Sequence, residues 1–293
     1  MTANTLTATF TAIVTFTAIS AVIALLLIFF ARRFAVQEDP RLDLVEQTLP
    51  NSNCGACGFA GCRQFAEALL QHKTNPGQCS VSDEEQRRQV ADILQVGIGT
   101  VNQLTARLAC AGGNNVARFH AHYSGLATCE AAAQVNGGAK VCQWGCLGLG
   151  DCERVCDFDA IHMSPHSLPL VREDLCTGCG DCVDICPKDL FTIHPVEHRL
   201  WVACNNPVFG DELLSYCEVA CTACGRCEKD APDLITIQNN LPVIDYTKNH
   251  RNQAPIQRCP TGAILWIGAD GRCEYGKQSV KVLRNSSLQP LNS

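Results

Sequence analysis

The chain has 293 residues, room for two or three small domains, and 21 of them are cysteine. Its 23 basic and 29 acidic side chains leave a net charge of −6, which argues against a surface built to neutralise nucleic-acid phosphates. An odd cysteine count in so long a chain argues against a disulfide scaffold, and so many free thiols imply a reducing compartment.

Residues 1–31 carry no charged side chain, and the stretch from Thr9 to Phe30 is mostly apolar. About 22 residues at helical rise cover the ~30 Å hydrocarbon core of a bilayer. One membrane-spanning helix is therefore expected within 1–33, with six threonines between positions 5 and 17 diluting its first half. A signal peptide fits less well, because no basic residue precedes the stretch and no small-residue cleavage site follows it. Arg32 and Arg33 come immediately after, with Arg41 close behind. The positive-inside rule then predicts a single-pass protein of the inner (plasma) membrane with its soluble part in the cytoplasm.

Residues 34–95 read as a linker, a short helix ending before Pro50, and a compact cysteine module. The module holds Cys54, Cys57 and Cys62, then sixteen residues, then Cys79. Its glycines permit the tight turns that let thiolates and amide N–H groups converge on one [4Fe–4S] cluster. Phe65, Ala66, Leu69 and Leu70 share a helical face that carries the chain away and returns it at Cys79. Ser82-Asp-Glu-Glu85 predicts a capping box opening a helix with Val90, Ile93 and Leu94 on its apolar face. Gly97 and Gly99 then break it; with no preceding strand and no third glycine they are not a phosphate loop.

Three segments downstream follow one pattern. Cys176, Cys179, Cys182 and Cys186, followed by Pro187, have the spacing C-x2-C-x2-C-x3-C-P, which resembles the bacterial ferredoxin signature. Cys146, Cys152 and Cys156 repeat it with Leu149 in the second position. Cys221, Cys224 and Cys227 repeat it with Ala231 in the fourth. Zinc is the competing reading, but zinc sites draw two separated cysteine pairs rather than three consecutive thiolates and a Cys-Pro.

In two-cluster ferredoxins the fourth cysteine of each motif serves the other cube. Cys156 is thus expected to complete Cys176, Cys179 and Cys182. Cys186 is expected to complete Cys146 and Cys152, with Cys142 replacing the missing second ligand. Cys221, Cys224 and Cys227 are completed by Cys259, which precedes Pro260. Counting back from Cys259 by the standard spacing reaches Pro255, Asn252 and Asn249, so a further cube has lost these three ligands and the one at Ala231. Four clusters are therefore expected, the site of the lost one being filled by side chains. Cys129 lies thirteen residues before Cys142, as Cys204 lies thirteen before Cys217, and each second member precedes the next cysteine by four. Cys110, Cys129, Cys204 and Cys217 either hold a fifth cluster or pack as buried thiols. Cys273 reads as an ordinary thiol. The eight histidines, His120 and His122 included, form no ligand pair, and Rieske-type ligation has no support. No catalytic residues and no nucleotide fingerprint are found, so no complete site for hydride transfer is expected on this chain.

The order of an anchor, C-G-A-C-G-F-A-G-C at 54–62, C-L-G-L-G-D-C at 146–152 and ferredoxin motifs resembles the B subunit of Rnf-type electron transport complexes, in a long, cluster-rich form. The likeness runs from the anchor to about residue 266. It implies a membrane-anchored electron-transfer subunit of a ferredoxin:NAD oxidoreductase that moves Na+ or H+. It also implies other membrane subunits and ferredoxin, or a similar small carrier, as partners. The expected fold is α+β: the helix, the helical module over 34–95, then tandem pseudo-twofold ferredoxin-like units over 96–200 and 201–268, and a tail over 269–293. Arg87, Arg88 and the segment from Lys277 to Lys281 are the basic candidates for docking an acidic carrier. The alternatives are an iron–sulfur redox or oxygen sensor, for which no output domain is found, and the iron–sulfur subunit of another membrane-bound oxidoreductase.

Overall fold

The computed structural model describes residues 3–33, 39–101 and 103–279. The expectations for the linker at 34–38 and the tail at 280–293, Lys281 included, lie outside the described residues.

Helix α1 (Ala3–Arg33) ends on Arg32 and Arg33, and its stretch Ile13–Phe30 is long and apolar enough to cross a membrane. The Thr15 and Thr17 hydroxyls donate back to the carbonyls of Thr11 and Ile13 at 3.0 and 2.9 Å. That removes the polarity of the threonine-rich half from an apolar medium that could not satisfy it.

The module that follows is built on α2 (Pro40–Thr48), α3 (Cys62–Leu70) and α4 (Glu84–Leu94). Asp39 caps α2 by accepting from the Arg41 amide, with proline in the first turn, where a missing N–H costs nothing. The capping box of α4 is formed by Asp83 and Gln86, one residue later than the sequence pattern suggests. Ser82 is buried, and it is the exposed Asp83 that accepts from the Gln86 amide at 2.7 Å. Val45, Leu49, Phe65, Leu69, Val90 and Leu94 form the module's core. The Gly77 amide bonds the Ile98 carbonyl at 2.7 Å, folding the Gly97–Gly99 stretch back over the module.

The rest of the chain repeats one plan twice. In the first unit β1 (Leu104–Leu108) is followed by α6 (Asp151–Arg154), the hairpin β2 (Ile161–Met163)–β3 (Pro169–Val171), α7 (Asp181–Asp184) and β4 (Phe191–Pro195). Strand β4 returns antiparallel to β1, pairing Ala106 with Ile193. Helix α5 (Cys129–Gln134) sits in the long insertion between β1 and α6. In the second unit β5 (Leu200–Val202), α8 (Arg226–Asp230), the hairpin β6 (Ile235–Gln238)–β7 (Leu241–Ile244), α9 (Ala254–Gln257) and β8 (Ile264–Ile267) take the same order. Strand β8 returns to β5, pairing Trp201 with Leu265. Residues assigned from sequence to the tail supply β9 (Cys273–Glu274), which extends this sheet through Ile267 and Cys273.

The two units are locked side by side. The Trp201 indole donates to the Leu108 carbonyl at 2.8 Å, and the Ala111 amide donates to the Ala203 carbonyl at 3.0 Å. Glu173 accepts from Arg107 at 2.6 Å and from Arg199 at 3.1 Å, joining the units through one carboxylate that is mostly buried.

Candidate iron–sulfur sites

Each ferredoxin motif folds locally in the same way. A glycine in the left-handed region (Gly150, Gly180 or Gly225) leads into a one-turn helix that carries the next cysteine inward. The N-terminal module uses a different device: Asn53 Oδ1 accepts from the Cys62 amide at 2.8 Å. A Cβ on Gly61 would lie 2.9 Å from that oxygen, so the close approach needs glycine.

Five groups of four thiols result. In the module Cys57, Cys62 and Cys79 join one core, and burial raises the Cys57 thiol, with Cys79 and Cys54 adding to the shift. Cys156, Cys176, Cys179 and Cys182 ring a second cavity. Cys221, Cys224, Cys227 and Cys259 ring another.

The remaining two tetrads differ from the sequence expectation by one exchange. Cys146, Cys152 and Cys186 are joined by Cys129, not Cys142. Cys142 instead joins Cys110, Cys204 and Cys217 at the seam between the units. The causes are tertiary. The Asp151 carboxylate accepts from the Cys129 and Glu130 amides at 2.8 and 3.3 Å, drawing the start of α5 onto the Cys152 helix. The segment around Phe119 bridges to Lys140 on one side and, through Ala117, to Cys217 on the other, bringing Cys142 and Cys217 together. Asn206 Nδ2 then donates to Cys142 Sγ at 3.4 Å.

The seam tetrad is itself pseudo-symmetric. Cys110 and Cys204 each lie two residues beyond the first strand of their unit, and Cys142 and Cys217 each lie four residues before the first cysteine of a motif. Each unit supplies half the site. The links to its neighbours repeat as well: the Cys146 amide donates to Cys110 Sγ at 3.4 Å, and the Cys221 amide to Cys204 Sγ at 3.3 Å.

The four cavities of the two units each enclose about 20 Å³, so the seam tetrad surrounds the same space as the three motif tetrads. Burial, reinforced by neighbouring thiols, pushes Cys146, Cys152, Cys182, Cys217 and Cys221 up to about 12. Cys204 and Cys227 rise to about 11 for the same first reason. Bound as ligands to a metal centre, such thiols would be deprotonated. Backbone amides oppose the rise at Cys142, Cys204, Cys217 and Cys221, a pattern of N–H groups aimed at sulfur that stabilises a thiolate. Among the described residues no three His, Cys, Asp or Glu side chains converge closely enough to hold a single metal ion. Thiols held apart around a cavity suit a multi-iron cube rather than one zinc ion.

The positions read as a lost cluster are occupied differently. Asn249 and Asn252 accept from the Arg251 and Ala254 amides at 3.2 and 2.8 Å, keeping with oxygen the turn that cysteine makes with sulfur elsewhere. Leu200, Ile235, Ile256 and the partly buried Ala231 pack into the half of the unit where a second cube would lie.

One grouping had no sequence signal. His194 and His198 bring their Nδ1 atoms to 3.1 Å, Tyr246 stacks on His198 with ring centres 3.8 Å apart, and His250 meets both edge-on. Burial, with His194, His250 and Arg107 adding positive charge, lowers His198 to about 4. The basic candidates Arg87 and Arg88 are engaged within the module, Arg87 with the Cys79 carbonyl and Arg88 with Glu84 and Glu85.

An apolar N-terminal helix, a cysteine module and ferredoxin-type folds ringed by thiol tetrads define an iron–sulfur protein of the membrane-associated class. Residues 49–81 match the family described as "Putative Fe-S cluster", and residues 169–192 match the 4Fe-4S binding domain. The chain is 37% identical over 259 residues to the B subunit of the proton-translocating ferredoxin:NAD(+) oxidoreductase complex of Clostridium ljungdahlii, covering 87% of this chain and 91% of that protein. It is 34% identical over 254 residues to the Na(+)-translocating counterpart of Acetobacterium woodii, covering 86% and 75%. With the B subunit of the ion-translocating oxidoreductase complex of Methanosarcina acetivorans it shares 32% over 243 residues, covering 83% and 92%. The chain belongs to the family of B subunits of the ion-translocating ferredoxin:NAD(+) oxidoreductase (Rnf) complexes.

Proposed function

We propose that this chain is the membrane-anchored electron relay of such a complex, holding five [4Fe–4S] clusters in a single file. When bound, each cube supplies one-electron transfer; the protein supplies spacing, burial and hydrogen bonds to sulfur. The ligands are Cys54, Cys57, Cys62 and Cys79; Cys156, Cys176, Cys179 and Cys182; Cys129, Cys146, Cys152 and Cys186; Cys110, Cys142, Cys204 and Cys217; and Cys221, Cys224, Cys227 and Cys259.

The observation that carries this reading is that each tetrad touches the next. Ser80, beside Cys79, donates to the carbonyl of Thr177, beside Cys176, at 2.6 Å. Cys152 lies near enough to Cys182 to raise its thiol. The Cys146 amide reaches Cys110, and the Cys221 amide reaches Cys204. The order is therefore the N-terminal module, the Cys176 tetrad, the Cys146 tetrad, the seam tetrad and the Cys221 tetrad. Arg32 and Arg33 at the end of the span support a file on the cytoplasmic side of the plasma membrane. At the far end Cys224 is exposed, with Arg226 and Lys229 beside it. An acidic one-electron carrier such as ferredoxin fits that end, and the other subunits fit the anchored one.

Iron, acid-labile sulfide and zinc per chain, measured on anaerobically purified protein, test the reading. About 20 iron atoms are expected. About 16 would leave one tetrad, foremost the seam, as thiols, and stoichiometric zinc with little sulfide would overturn the relay.

A further inference from the structure

Among the described lysines only Lys140 is buried, at 3% exposure. It lies between the Cys146 tetrad and the seam tetrad. Its Nζ donates at 2.5 Å to the carbonyl of Gly112, two residues from Cys110, and at 2.6 Å to that of Cys146. The Phe119 ring covers it, with its centre 5.8 Å from Nζ. Among the described residues no carboxylate pairs with it.

A buried ammonium with no counter-charge is costly. The negative charge available here is that of the thiolates and cubes on either side. The equivalent position in the second unit is Ser215, two residues before Cys217, whose hydroxyl donates to Glu212 within its own turn. The cation thus stands on one side of the seam and not on the other.

We propose that Lys140 is a positioning residue for electron transfer, the shared counter-charge of the Cys146 and seam clusters that raises the reduction potential of both. In each step a reduced neighbouring cube loses one electron and the cube beside Lys140 gains it. No bond breaks, no proton moves, and the accepting site becomes one charge more negative. A fixed positive charge stabilises that added charge over the oxidised state, making the centre of the file the place where an electron rests. This rests on the relay reading above.

The test is an EPR-monitored redox titration of the full-length chain, with the two signals assigned by their loss in Cys146→Ala and Cys142→Ala. Lys140→Gln keeps donors for the two carbonyls and removes the charge. It is expected to weaken reduction at both sites about tenfold, ~59 mV more negative for one electron, with iron content and the other three potentials unchanged. Lys140→Arg is expected to stay near wild type, as is Lys73→Gln, which alters an exposed lysine of the N-terminal module. Unmoved potentials at full iron content, or an equal shift at all five sites, would overturn the proposal while leaving the relay intact. If Lys140→Gln loses iron at these two sites and Lys140→Arg keeps it at wild-type potentials, the charge is still what they require. Loss in both variants would reduce Lys140 to a packing role. Wild-type protein without sulfide would remove the relay itself.

Discussion

The two ferredoxin-like units share one strand order and one motif fold, yet they fill their interiors with different material. In the first unit both halves gather thiols around cavities, and the buried apolar cluster is small: Ala106, Ile161 and Phe191 beside Cys152 and Cys182. In the second unit one half keeps its tetrad, while Leu200, Leu234, Ile235, Ile256 and Ile264 form a hydrocarbon core with Cys227 and Cys259. The fold thus accepts either a thiol-lined cavity or a handful of aliphatic side chains as its centre. The loop where thiolates would stand keeps its turn through Asn249 and Asn252, whose side-chain oxygens accept from the amides two residues on. A small unit that lacks a cube must replace its cohesion with burial, and Leu200, fully buried, does so.

The sharpest way to break the comparison is at the exchanged cysteines. Cys129→Ala is expected to remove the Cys146-tetrad signal and about four iron atoms, leaving the seam signal. Cys142→Ala is expected to do the reverse; a common target for both variants would undo the assignment of the two tetrads to different cavities.

Leu200→Ala probes the substituted core. Removing a fully buried leucine costs roughly 2–5 kcal/mol, and chemical denaturation followed by Trp201 fluorescence should show that loss. The Cys156 and Cys186 tetrads should keep their iron until the second unit has unfolded. Loss of cubes from both units at the same denaturant concentration would mean that they fold as one.

Glu173→Gln tests the lock between the units. The carboxylate is 11% exposed and Arg107 6%, so the substitution leaves a buried guanidinium unbalanced, at roughly 3–5 kcal/mol. The seam tetrad, which needs both units in register, should lose iron before the Cys176 tetrad does.

The smallest effect is expected from the histidine cluster. The neutral form of His198 is favoured in the fold, so the unfolded chain binds the extra proton between the ordinary histidine range and about 4. Its stabilising contribution is complete above the unfolded value near 6.5 and is lost as pH falls toward 4. His198→Asn should therefore flatten the decline in denaturation midpoint between about pH 7 and 5.5; a slope equal to wild type would show that the ring does not contribute to it.

Much of the site was legible in the sequence because cluster ligation is a local problem at its start. Three thiolates within seven residues, such as Cys176 to Cys182, can face one cube only through a short turn with glycine at its bend, and that requirement is written in the spacing. The crossed partners Cys156 and Cys259 were legible because the two halves of the fold repeat. The exchange of Cys129 and Cys142 was not. Their thirteen-residue spacing reproduces that of Cys204 and Cys217, so the repeat treats both pairs alike, while their destinations depend on groups far along the chain. Asp151, 22 residues from Cys129, and Asn206, 64 residues from Cys142, make those choices.

What the amino-acid sequence determined by itself is the chemistry and its location: an apolar span with basic flank, a cysteine module and two motif-bearing units. These follow from composition, periodicity and short-range spacing, in which each residue needs only its near neighbours. What only the tertiary structure decided is the path. The seam tetrad exists because the two units dock through Trp201, Glu173 and the Ala111–Ala203 bond, each giving two thiols to a cavity neither could enclose alone. Lys140 beside it is buried within the first unit, by Gly112, Phe119 and Cys146, through packing between segments that no spacing rule connects.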